Sequence, residues 1–235
     1  MRFSRQFFRF AAACALASAL TTLAVHVLPA LWADATTFEQ QVELRLNSIY
    51  MAQRWTVLVH CLLVIISMFA IGVVLLERSP ALATLGFLSF FVFGVTEIFR
   101  TSLSIFAVNR TWRSGYAAAG DDQARQTFRD VFTAYTGVND ALFFVFYTAF
   151  VIGLLCYGFA LARTAGFDRL IGGMFLVWAL VNVPVFIDTV IASNSLGRYF
   201  EWVGPYFQPL ARICVGIWLW RYGSRFTKHR QSSST

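Results

Sequence analysis

Glu97 and Arg100 stand three residues apart in TEIFRTSLSIFAVNR (residues 96–110), directly after the apolar run FLSFFVFGV. On a helix that spacing brings a carboxylate and a guanidinium onto one face, within reach of each other. Two chemistries follow: an internal ion pair, or half of a site for a charged guest. Further polar groups interrupt other apolar stretches, namely His26, His60, Asn182, Asp188, Gln208 and Arg212. Arg100 and Arg212 are the groups to hold an anion. Glu97 and Asp188 are the groups to balance charge or carry a proton, and Asn182 and Gln208 would supply neutral hydrogen bonds.

His26 and His60 invite a different chemistry. Two histidines at matched depth are what a haem with two axial ligands requires, or two of the four ligands of a zinc ion. Tetrahedral zinc would need Asp188 or Glu97 as well, and the chain has no HxxxH or CxxC motif. No cofactor is therefore expected, with haem or zinc kept as an alternative. Cys14, Cys61, Cys156 and Cys214 lie in apolar segments without metal-ligand spacing and read as small buried hydrophobes. No GxSxG is present, so nothing points to a nucleophile, and an enzyme is not the favoured class. Asn109-Arg110-Thr111 matches a glycosylation sequon, a short pattern that matches often by chance.

These groups must be positioned by apolar elements, because little else is present. The 235 residues are 58% hydrophobic and 13% charged, and the mean hydropathy is +0.62. Soluble domains carry about 25% charged residues. Six windows of sufficient length to cross a hydrocarbon core of about 30 Å occur at residues 10–32, 55–76, 81–108, 139–162, 170–192 and about 203–222. Alternating strand patterns are absent, so the expected fold is all-α, a polytopic transmembrane bundle of six spans forming a single domain. MRFSRQFFRFAAACALASAL imitates a signal peptide, yet its apolar run continues to Trp32, so the first span is read as uncleaved.

Basic residues set the orientation. With the N-terminus cytoplasmic, ten fall inside, in short segments: Arg2, Arg5, Arg9, Arg78, Arg163, Arg169, Arg221, Arg225, Lys228 and Arg230. Seven fall outside, mostly in two longer loops: Arg45, Arg54, Arg110, Arg113, Arg125, Arg129 and Arg198. Both termini are expected in the cytoplasm, with the chain in a cell inner membrane. Residues 223–235 would form a basic tail against anionic lipid. The net charge of +7 is then a matter of topology, not of nucleic-acid binding. Membrane lipids are the expected partners, and a homo-oligomer is left open.

The short connections 77–80 and 163–169 predict two helical hairpins. Each is preceded by an amphipathic outer helix. One starts at the Thr37/Gln40 capping box and carries Phe38, Val42, Leu46, Ile49 and Tyr50. The other is capped by Asp121-Asp122 and carries Phe128, Val131, Phe132 and Tyr135. Breaks are expected at 116–120 and at Gly137. The hairpins are faintly similar, with Gly72 against Gly158 and Gly86 against Gly172, which suggests a duplication that chance explains equally well.

At about 1.5 Å per residue from the outer end, Asp188 lies about 6 Å deep, His60 about 8 Å, His26 about 9 Å, Arg100 about 12 Å, Arg212 about 13 Å, and Glu97 and Asn182 about 15 Å. An ionised group near the bilayer centre costs on the order of several kcal/mol. Several at overlapping depths predict a polar pocket open to the outside, which binds or transports a small polar or amphipathic molecule. The alternative is a membrane scaffold or assembly partner whose buried charges fix helix packing. A membrane redox protein or enzyme using the two histidines is the third.

Overall fold

Ser4 starts the first helix by accepting the Phe7 N–H at 3.2 Å, and α1 (Arg5–Val27) runs until Pro29 begins a tighter turn at Leu28–Leu31. A computed structural model describes residues 3–32, 35–191 and 202–232, with side chains excepted at 189–191 and 225–232. Arg2, Arg198 and the side chains of Arg225, Lys228 and Arg230 lie outside the described residues, as does the connection after the fifth apolar window.

The Thr37 capping box forms as expected. Thr37 accepts the Gln40 N–H at 3.2 Å, the Gln40 side chain accepts the Thr37 N–H at 3.1 Å, and α2 (Phe38–Glu43) begins there. The expected amphipathic helix does not extend to Tyr50. Asn47 accepts the N–H groups of Ile49 and Tyr50 at 3.0 Å each and starts a new helix, α3 (Ser48–Leu76), to which both residues belong. An Asn side chain that satisfies two orphan amides is a stronger local signal than the apolar periodicity running through it.

Pro80 opens α4 (Pro80–Ser102), where its missing N–H costs nothing. The chain continues without a break through a wide π segment, Leu103–Arg113, into α5 (Ser114–Ala118). Asp121 accepts the Ala124 N–H at 2.7 Å and starts α6 (Asp122–Ala162), 41 residues long. Gly137 does not interrupt it. One glycine costs a helix only about 1 kcal/mol, too little to break it. Gly166, at φ 67°, makes the turn into α7 (Phe167–Ile191), which contains Pro184. A short π turn (Val203–Phe207) leads into α8 (Gln208–Ser232), so the expected polar tail begins as helix.

Among the described residues the fold is all-helical, and five segments are long and apolar enough to cross a membrane: Arg5–Leu31, Ser48–Leu76, Pro80–Ala118, Asp122–Ala162 and Phe167–Asp188. The helices form a ring. α1 packs between α8 and α3, α3 on α4, α4 on α6 and α6 on α7, with lighter contact closing α7 on α8. Both expected hairpins are present. The glycines do not repeat one another, however. Gly72 and Gly86 both make room for Tyr157 of α6, whereas Gly158 faces Leu176 and Gly172 faces the Ala162 backbone.

At the α3–α4 turn, Arg78 pairs with Asp168 at 2.6 Å, and the Trp218 indole N–H donates to the same carboxylate at 2.7 Å. One carboxylate thus joins the α3–α4 turn to α7 and α8. The opposite end, with α2 and α5, carries the polar site.

Candidate functional site: an arginine-lined chamber

On α4, Glu97 and Arg100 do meet: Nε lies 3.4 Å from Oε2. That carboxylate oxygen is buried without a hydrogen bond. The Arg100 guanidinium also sits against the rings of Phe143 and Phe146 of α6, 5.3 and 5.7 Å from their centroids. It is held between a carboxylate on its own helix and aromatic faces on the next.

Past Arg100 the helix widens. Side chains follow the i→i+5 backbone pattern: Asn109 donates to the Ser104 carbonyl at 2.6 Å, Thr111 to Phe106 at 3.1 Å, and Ser114 to Asn109 at 3.2 Å. π segments are usually a single turn, and they concentrate at functional sites. Ser104, Val108 and Arg113 of this segment line a cavity together with Thr101 of α4. Asn109 is only 3% exposed, so the sequon asparagine is buried.

Arg113 is 7% exposed, and its Nη1 donates to Asn109 Oδ1 at 2.6 Å. Arg54 approaches from α3. Both guanidiniums lie over the Tyr50 ring, with Arg54 at 4.9 Å and Arg113 at 5.3 Å from its centroid. The Nε atoms of both are buried without a hydrogen-bond partner. Arg54, Arg100 and Arg113 line one cavity of about 420 Å³, with Tyr50, Thr101, Ser104, Tyr135, Thr136 and Asn139 among their neighbours. No Asp or Glu is among its described lining residues.

Phe38 and Gln41 of α2 also line the cavity. α2 is fastened there by a three-residue latch. Arg129 of α6 donates to Glu39 at 3.0 Å and to the Tyr116 hydroxyl oxygen at 2.9 Å, while Tyr116 donates to Glu39 at 3.1 Å. Phe38 packs edge-on against Tyr116 and Phe132. The Glu39 carboxyl is held below its ordinary range, first by a backbone N–H at the start of α2 and next by the Tyr116 hydroxyl.

The other expected site residues lie elsewhere. Asn182 donates to the Trp178 carbonyl at 2.7 Å and accepts the Tyr147 hydroxyl at 2.7 Å, so its amide is engaged within the bundle. Asp188 is buried on α7, and Gln208 is half-buried at the start of α8. Arg212, 3% exposed, lies over the Trp178 ring at 5.6 Å, with Nε and Nη1 buried and unbonded. None of these four lines the arginine chamber. His60 Nδ1 meets the Thr21 hydroxyl at 2.8 Å, and the His26 ring fills the space beside Gly204. Among the described residues no cluster of three or more His, Cys, Asp or Glu is placed to hold a metal ion.

Arg54 and Arg113 are the residues that sequence reasoning misplaced. The sequence places both on the outer side, beyond the spans, whereas Arg54 lies on α3 and Arg113 ends the π segment. The available signal was the density of Thr, Ser and Asn from Thr101 to Ser114, too polar for lipid and too apolar for a loop. No protein-family model, no curated protein and no solved structure matches this chain.

Proposed function

We propose that this is a six-span protein of the cell inner membrane, both termini cytoplasmic, whose outward-facing pocket binds or transports a small amphipathic molecule with an anionic group. The observation that carries this reading is the convergence of Arg54, Arg100 and Arg113 on one cavity without a lining carboxylate among the described residues. Uncompensated buried cations are costly in an apolar surround, and an anionic guest offsets that cost. Glu97 orients Arg100 and limits the net charge of the empty chamber. The helix from Val203 to Ser232 serves as the sixth span, and α2 lies over the outer mouth.

The test is a titration of detergent-purified protein with an alkyl phosphate and an alkyl carboxylate of equal chain length. At least one binds, and Arg100→Ala or Glu97→Gln abolishes that binding in protein that remains monodisperse. If neither amphiphile binds, or both variants bind normally, the pocket reading fails.

A scaffold role is favoured by one observation, the engagement of Asn182 with Tyr147 and Trp178. On that reading, single removals of buried polar groups weaken insertion or stability, and removal of a whole pair restores it.

A further inference from the structure

We infer that the anionic group held in the arginine chamber is a terminal phosphate, a phosphomonoester and not a carboxylate or a phosphodiester. The inference rests on the pocket reading above and adds the chemistry of its guest.

Charge is the first argument. Three guanidiniums bound the chamber, and the Glu97 carboxylate beside Arg100 offsets one, which leaves two positive charges. A phosphomonoester carries about −1.5 to −2 at neutral pH and matches that remainder, whereas a carboxylate or a phosphodiester carries one charge.

Donor geometry is the second. Arg54 and Arg113 both line the chamber, and both guanidiniums are steadied on the single Tyr50 ring. A planar fork suits two oxygens of one phosphate, and two forks with Arg100 suit a group that presents three. Positions fixed before binding lower the ordering cost on association. Thr101 and Ser104 add hydroxyl donors on the same wall.

Volume is the third. About 420 Å³ exceeds what a bare phosphate fills, and Phe38, Val108 and Phe132 supply apolar wall for an organic remainder. The phosphate therefore belongs to a larger molecule, either a membrane lipid with a terminal phosphate or a water-soluble phosphorylated compound.

The experiment uses the full chain in phosphatidylcholine nanodiscs, followed by calorimetric titration. The probes are dioctanoyl phosphatidic acid, dioctanoyl phosphatidylglycerol, octanoate and glycerol 3-phosphate. At least one of the two phosphomonoesters is expected to bind about tenfold or more tighter than the diester and the carboxylate, one unmatched charge being worth roughly that factor. Preference for phosphatidic acid over glycerol 3-phosphate assigns the guest to the lipid; the reverse assigns it to the soluble pool. Arg54→Ala with Arg113→Ala should weaken binding about 100-fold, and the corresponding lysine pair, which keeps charge but not the fork, about tenfold. Arg125→Ala, in an exposed pair with Asp122, should leave binding unchanged. Equal or tighter binding of octanoate or phosphatidylglycerol overturns the phosphate assignment and leaves the pocket standing. Binding of no probe removes both.

Discussion

The Tyr157 hydroxyl donates to the Met68 carbonyl at 2.9 Å, and one edge of its ring packs against Gly86. Three helices meet at that one side chain: Met68 on α3, Gly86 on α4 and Tyr157 on α6. A Cβ at Gly86 would occupy the place of the Tyr157 ring, which is fully buried and cannot swing away. Gly86→Ala should therefore destabilise the protein by about 1–3 kcal/mol through overpacking. Gly137→Ala meets nothing within 4 Å and should stabilise α6 by about 0.5–1 kcal/mol. Thermal unfolding in one detergent compares the two. An unchanged midpoint for Gly86→Ala would contradict the packing.

Asp168 gives a second stability test. Its pair with Arg78 is partly exposed and worth at most about 1 kcal/mol. Its bond to the Trp218 indole weighs more, because Trp218 is buried and its N–H would be stranded. Asp168→Ala should cost about 1–3 kcal/mol, and Asp168→Asn, which keeps an acceptor, clearly less. Equal losses for the two variants would show that the charge, not the indole bond, dominates.

Acid should loosen the α2 latch. The folded Glu39 carboxyl sits below its ordinary 4.5, so its stabilising contribution is complete above that value. It is lost as pH falls below 4.5 through the depressed folded value, where the carboxylate protonates. Protection of the Phe38–Glu43 amides, relative to their intrinsic exchange at each pH, should fall over that interval, and Glu39→Gln should flatten the response. Protection that does not change with pH in the unsubstituted chain would rule the latch out.

Asn182 separates packing from binding. Asn182→Ala strands the Tyr147 hydroxyl, at a cost of about 1–2 kcal/mol, and adding Tyr147→Phe should recover part of it. Binding of the alkyl phosphate should be unaffected, because Asn182 does not line the chamber. Loss of binding at unchanged stability would restore Asn182 to the site.

The local signals were legible in the sequence wherever one side chain acts on its own neighbours. Thr37 and Gln40 close their box, Asp121 caps α6, and Glu97 reaches Arg100, all within four residues. The hairpins followed from short connections. Depth counting treats each helix as a ruler and says nothing of azimuth. Arg212 and Arg100 share an expected depth yet face different neighbours, Trp178 in one case and Phe143 in the other. Arg113 enters the chamber because the π segment changes the angular step between residues, a shift that no count at 3.6 per turn reproduces. Gly137 misled for an energetic reason, since one glycine weighs little against a 41-residue helix.

At about 1.5 Å per residue, the unbroken α6 is roughly 60 Å long, twice a hydrocarbon core of about 30 Å. Mechanically it is a single stiff rod without a joint at Gly137. Arg129 and Phe132 near one end hold α2, and the turn at Gly166 follows the other end, two residues before Asp168. One continuous helix therefore carries contacts to α2 near one end and leads into the Asp168 junction at the other.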